Sequence, residues 1–491
     1  MNRMLKLATT GLLAALFVSG VAEETVALDN SHLQLPSLGE TSAGLISVTE
    51  EYERGQMVLR YYRAALPISQ DPFIETYLQG LLQTLVTFSD LPNKKLELLV
   101  LDNPQLNAFA APGGIVGVNT GIFLSAENEH QLASILAHEL AHLSQRHYAR
   151  RVQQGKKSFA VTLAGVIASL MLASAGEGDA AMAGILLSQS ATRDSSLKFS
   201  REMEKEADRI GLRTLIQANF DPQGMPSMFE EMLKQTRYRT HIPDFLLSHP
   251  VTESRISDTA SRVQKLPRKY YPQNEDYQLI RARVMLRHEE NPQNSVKRFK
   301  TELESPNKRI SEITASYGYT LSLIAIKQFD EARKALAQLK AIVKNPVIHA
   351  LTEADIAAGE LDFDTAIDVL KTALRSNPNN HALNVRYAEI LMRAGKYRDC
   401  EVVLLAHSQR FPNNAYVWYL LAEVHGLAGH ILEVHKARAE YFMLKGVYSK
   451  AEIQLRNALK LIDKEDFQSR AKIEQRLLDL ENLVREAREF Q

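Results

Sequence analysis

Residues 107–142 read NAFAAPGGIVGVNTGIFLSAENEHQLASILAHELAH, and they decide the fold. The first half alternates small and β-branched residues around Pro112-Gly113-Gly114, which predicts a hairpin or bulged edge strand. Just upstream, Glu97-Leu-Leu-Val-Leu101 reads as a buried strand. Ser125 followed by the acidic Glu127 and Glu129 predicts a helix N-terminus, and Leu132, Ile135, Leu136, Leu140 and Leu143 keep to one helix face. That helix carries His138-Glu139-Leu140-Ala141-His142, an H-E-x-x-H pattern. Histidines at i and i+4 can present two imidazoles to one Zn²⁺, with Glu139 close enough to accept a proton from metal-bound water. An alternating strand just before such a helix predicts an α+β zincin-like metallopeptidase domain, mostly helical with a small sheet. Residues Val116 to Asn119 are the expected edge, to which substrate adds as an extra strand.

Catalytic zinc takes a third protein ligand and leaves its fourth position open. A third histidine at H-x-x-G-x-x-H spacing is missing: Gln145 and Tyr148 stand at the two positions, and His147 falls one residue short. His147 is expected at the surface or behind the ligands. The better source is Ser200-Arg-Glu-Met-Glu204-Lys-Glu-Ala-Asp208, with Glu204 and Asp208 on one helix face. Glu204 can ligate zinc while Asp208 accepts the outer N–H of a ligand histidine. Glu202 and Glu206 are rival ligands.

The chain has 491 residues, 45% hydrophobic, with 58 basic and 58 acidic side chains. That length suggests several domains. Balanced charge argues against nucleic acid as a partner. One cysteine, Cys400, excludes an intrachain disulfide and any multi-cysteine zinc site. Residues 1–27 carry basic Arg3 and Lys6, an apolar run from Leu7 to Val18, and small residues at Gly20 and Ala22 or Thr25 and Ala27. This predicts a cleaved signal peptide ending after 22 or 27. Residues 158–191 are apolar but broken by Gly176-Glu-Gly-Asp179. They read as a buried helical hairpin, with peripheral membrane contact as the alternative.

From about residue 270 strand signals vanish. Phe329-Asp-Glu-Ala332, Phe363-Asp-Thr-Ala366 and Tyr397-Arg-Asp-Cys400 recur at 34 residues, followed by Leu336, Leu370 and Leu404 and then Pro346, Pro378 and Pro412. This is the tetratricopeptide (TPR) period, with a small residue where two helices cross and Pro ending the second. Trp418 fits the start of a fourth repeat. Val447-Tyr-Ser-Lys-Ala451 then restarts the pattern only 17 residues after Val434, and 277–311 reads as a degenerate first repeat. The expected domains are residues 28–268, the metallopeptidase, and 269–491, an all-α TPR solenoid. Cys400 should be buried, and His407, His425, His430 and His435 read as surface or packing residues rather than ligands.

NAFAAPGGIVGVNTGIF, HELAH, EKEADRIG and LLSHPVTESRI, in this order, resemble the CAAX-prenyl-protease and HtpX-like family of gluzincin metallopeptidases. The resemblance implies one Zn²⁺ held by His138, His142 and Glu204, with Glu139 as base and Asp208 at the acidic position of the family's E-x-x-x-D pattern. It places His249 near the active site, where it would stabilise the oxyanion or occupy zinc's fourth position. A helix-capping role for His249 stays open, as does a pairing of Arg255 with an acid of the site. With the signal peptide and the TPR half, the chain resembles a soluble periplasmic branch of this family. That implies a zinc endopeptidase acting on misassembled outer-membrane β-barrel proteins, recruited to the barrel-assembly machinery through its repeats. The competing expectations are an assembly chaperone with latent proteolysis and a general periplasmic housekeeping protease.

Overall fold

Helix α1 (Val48–Ala65) starts on Ser47, whose hydroxyl accepts the Glu50 N–H. The computed structural model to which it belongs describes residues 47–153, 200–238, 243–307 and 309–489. The expected signal peptide at 1–27 and the apolar stretch 158–191 lie outside the described residues. Helix α2 (Pro72–Phe88) is capped by Asp71 and buries Ile74, Leu78, Leu81, Leu82 and Leu85 along one stripe.

Strands β1 (Glu97–Leu101), β2 (Ala108–Ala111) and β3 (Ile115–Asn119) form a sheet in the order β1-β3-β2. β1 runs parallel to β3, and β2 pairs antiparallel to β3 with Ala110 opposite Val116. Gly113 and Gly114 turn the β2–β3 hairpin at φ 80° and 79°, a region that favours glycine. The expectation that Val116 to Asn119 form an edge is overturned: β3 is the central strand and every residue of it is buried. Its apolar residues point to both sides, the pattern of a strand covered on both faces. The outer side of β1 is bridged by Ile68, so β2 is the edge strand lying against the helix that carries His138 and His142.

That helix also starts later than its acidic residues suggest. Ser125 ends a short turn, α3 (Ile122–Ser125), and α4 (Glu129–Ser144) begins on Asn128, whose side chain accepts the Gln131 N–H. Gln131 in turn accepts the Glu127 N–H at 2.6 Å, fixing the entry of the chain. An Asn with a glutamine three residues on outcompetes Ser125 as the cap. After α5 (His147–Gln153), the described chain resumes with α6 (Arg201–Gln217), α7 (Gly224–Tyr238), α8 (Asp244–Ser248) and α9 (Glu253–Gln264). α4 packs on α6 and α7. Gly211 of α6 lies against Ala137 and His138, where an added Cβ would stand 3.1 Å from the α4 backbone.

The C-terminal half is a run of helices: α10 (Glu275–Arg287), α11 (Pro292–Glu304), α12 (Glu312–Ala325), α13 (Phe329–Ile342), α14 (Pro346–Gly359), α15 (Phe363–Ser376), α16 (His381–Arg393), α17 (Tyr397–Arg410), α18 (Ala415–Ala428), α19 (Ile431–Leu444), α20 (Tyr448–Leu461) and α21 (Phe467–Glu489). The periodic small residues Ala332, Ala366 and Cys400 are completely buried. Burial pushes the Cys400 thiol up to about 12, so it is inert at neutral pH. Asn345, Asn380 and Asn414 cap the first helix of successive pairs. Pro346 opens α14 instead of ending α13, consistent with proline's fit to a first helical turn. The early restart at Ala451 is real: only Lys445, Gly446 and Val447 separate α19 from α20.

One hydrophobic core runs from Phe73 through the peptidase helices into the repeats as far as Ala437. Polar ties cross the same junction. Tyr277 donates to the Ala126 carbonyl at 2.7 Å, Arg283 pairs with Asp71 at 2.7 Å, and Asn414 donates to Glu75 at 3.1 Å. Among the described residues no helix is long and apolar enough to cross a membrane.

Candidate metal centre

Three elements deliver the site. α4 supplies His138, Glu139 and His142; α6 supplies Glu204 and Asp208; and the end of α8 supplies His249, whose N–H caps that helix on Phe245. All six side chains are buried. His138 Nε2 stands 3.0 Å from His142 Nε2, and Glu204 lies 3.5 and 3.4 Å from the same two atoms. His249 Nδ1 is 3.4 Å from His138 Nε2 and 3.0 Å from Glu204 Oε1. Four donor atoms thus converge on one point, within 4.8 Å of one another. His249 both caps α8 and enters the cluster.

Outer partners hold these groups. Asp208 Oδ1 faces His138 Nδ1 at 3.0 Å. Arg255 donates to both Asp208 oxygens at 2.7 Å, reaches Glu204 at 2.8 Å, and lies over the Phe229 ring. His147 Nδ1 meets His142 Nδ1 at 2.9 Å, while His147 Nε2 lies 3.0 Å from Glu206, which Arg150 also pairs at 2.8 Å. Glu206 is therefore spent behind His142, and its carboxyl is held down to about 2 by His147 and Arg150. Glu202 faces solvent. Of the three rivals only Glu204 points into the cluster. His147 is fully buried, so its surface reading fails, and it lies behind His142. The His147–Glu206 pair was only half legible: the near-miss spacing after His142 was visible, but not its carboxylate.

The charge pattern asks for a cation. Glu139, Glu204 and Asp208 are three buried carboxylates, and they face the Arg255 guanidinium and the imidazoles of His138 and His249. Buried charge without compensation is strongly disfavoured. Burial pulls the His138 imidazole down, but Asp208 and Glu204 more than offset it and raise it to about 9. Burial takes His142 well below its ordinary value, leaving its ring neutral, as a metal ligand must be. Burial raises Glu139, whose Oε1 has no hydrogen-bond partner among the described residues. With the imidazoles neutral, a divalent ion among these donors balances the carboxylates, and two imidazoles with a carboxylate suit zinc.

Residues 72–263 match the model of peptidase family M48, and residues 356–424 match a tetratricopeptide repeat model. The β-barrel assembly-enhancing protease of Escherichia coli (strain K12) is 31% identical over 437 residues, covering 89% of this chain and 88% of that one. Its counterpart in Yersinia pestis is 29% identical over 443 residues, 90% and 91% of the two chains. The mitochondrial metalloendopeptidase OMA1 of Schizosaccharomyces pombe is 34% identical over 180 residues, which is 37% of this chain and 50% of that one. The matched segment with OMA1 is of peptidase size, whereas the bacterial matches run through both halves. The chain is a metalloprotease and belongs to the family of the β-barrel assembly-enhancing proteases, within the M48 peptidases.

Proposed function

We propose that this chain is a periplasmic zinc endopeptidase that cleaves misassembled outer-membrane β-barrel proteins, with a signal peptide at its N-terminus and a boundary near residue 268 between peptidase and TPR module. The observation that carries the reading is the convergence of His138, His142 and Glu204 beside Glu139, whose Oε1 has no hydrogen bond among the described residues and faces His249 Nε2 at 3.6 Å. His138, His142 and Glu204 hold the zinc. Bound zinc supplies Lewis acidity toward a peptide carbonyl and lowers the pKa of water. Glu139 takes up a proton, and burial, which raises its carboxyl above the ordinary carboxylate range, favours the protonated form. Asp208 fixes the orientation of His138, and His147 that of His142. The edge strand β2, packed on α4, is where an extended client backbone adds to the sheet. The barrel specificity rests on the names of the relatives, and the repeats are the surface for the barrel-assembly machinery.

A second reading, an assembly chaperone with latent proteolysis, is favoured by one observation: His249 sits among the zinc-holding donors, where a substrate or water must enter. Glu139→Gln in cells lacking the protein separates the two. Retained zinc with loss of degradation of a stalled barrel protein supports the enzyme. Full rescue of barrel assembly by the same variant makes proteolysis dispensable and favours the chaperone.

A further inference from the structure

A second cluster of donors lies far along the chain from the peptidase motifs, in the repeats. Helix α18 ends in a left-handed Gly429, φ 81°. The Gly429 N–H bonds to the Gly426 carbonyl and the His430 N–H to the His425 carbonyl at 2.9 Å. This pair of bonds is a Schellman motif, and it brings the side chain just past the helix beside one in the last turn. An apolar contact usually fills that place. Here both positions are histidine. Their Nδ1 atoms each lie 2.6 Å from Oε1 of Glu401, which reaches over from α17. Glu401 and His425 are buried, while His430 is half exposed.

From this we propose that Glu401, His425 and His430 form a second transition-metal site, of the zinc class, that ties α17, α18 and α19 together. The donor set is two imidazoles and a carboxylate, the same as at the peptidase centre, and all three donor atoms lie within 4.8 Å of one another. The Schellman turn fixes the two histidines relative to each other before any ion arrives, so little ordering remains to be done on binding. Both rings offer Nδ1 as a lone pair once their protons move to Nε2. Glu401 Oε2 makes no hydrogen bond among the described residues, which leaves it free to share the ion. Donors around a tetrahedral zinc stand about 3.3 Å apart, so the present 2.6 Å contacts must open by about 0.7 Å. His430, on the surface, is the ring that can swing out. The same exposure gives the ion its way in and leaves a position for water.

The test uses untagged, full-length protein, equilibrated with zinc and assayed for metal per chain by mass spectrometry. Wild type should carry one more zinc than His430→Ala or Glu401→Gln. A His138→Ala/His142→Ala chain should keep one zinc, and with Co²⁺ it should show the visible bands of a tetrahedral ion, lost when His430→Ala is added. Equal zinc in wild type and His430→Ala overturns the proposal, as does a folded His138→Ala/His142→Ala chain that binds none. In that case the triad is a hydrogen-bonded clamp only. The half-exposed position of His430 keeps its variant folded, and the difference between wild type and that variant does not depend on what the peptidase centre holds.

Discussion

Arg255 grips both carboxylate oxygens of Asp208 at 2.7 Å, and the two side chains are buried together beneath the metal centre. A third guanidinium nitrogen reaches Glu204. One cation therefore fixes both the carboxylate at His138 Nδ1 and the carboxylate beside the paired imidazoles.

Replacing Arg255 with Met leaves Asp208 and Glu204 buried without their cation. Breaking a buried pair in this way costs roughly 3–5 kcal/mol. Thermal unfolding of the metal-free protein should fall by many degrees. Arg255→Lys should recover only part of it, because an ammonium cannot reproduce the two parallel bonds. A lysine variant as stable as wild type would show that the fork geometry is irrelevant.

His249 stands 3.0–3.4 Å from Glu204 and His138, inside the donor cluster. If it holds the fourth metal position at rest, His249→Ala should raise basal cleavage of an unfolded client severalfold. Unchanged or lower activity, with metal content intact, would count against that role and leave oxyanion stabilisation or the α8 cap as its function.

His147 reaches the outer nitrogen of His142 and is itself anchored by Glu206. Loss of such an outer partner typically weakens metal affinity by about 10–100-fold. His147→Phe, which keeps the ring volume, should show that loss in a chelator competition, and Glu206→Gln a smaller one. Wild-type affinity in both would assign the pair to packing alone.

In the repeats, His407 stacks on His381, whose Nδ1 it meets at 2.7 Å, and lies against Phe411, while His381 stands 3.8 Å from Glu75 of the peptidase half. Burial, with the neighbouring His381 ring and the Arg410 guanidinium, pulls its imidazole down to about 4. The unfolded chain, with a histidine near 6.5, then binds the proton first as pH falls. Stability contributed by neutral His407 is full above pH 6.5 and drains away between 6.5 and 4, by on the order of 2 kcal/mol. Denaturation midpoints should drop across that window in wild type and drop less in His407→Phe. Equal slopes would remove His407 from the account.

The sequence by itself determined what depends on local spacing. Two histidines four apart share a helix face in any α-helix, so the HELAH stretch announced a converging pair of imidazoles. A small residue every 34 positions announced paired helices. What lay between elements was not local. Glu202, Glu204 and Glu206 are equally acidic and closely spaced, but each step along a helix turns about 100°, so only packing of α6 on α4 at Gly211 decides which faces the histidines. Strand order behaves the same way. The alternating stretch around Val116 was rightly a strand, yet only the parallel pairing with β1 made it central and gave the edge to β2. The carboxylate partners of His147, Arg255 and His430 belong with these. Each is a contact between segments brought together by burial of a shared core, a long-range effect that no short spacing encodes.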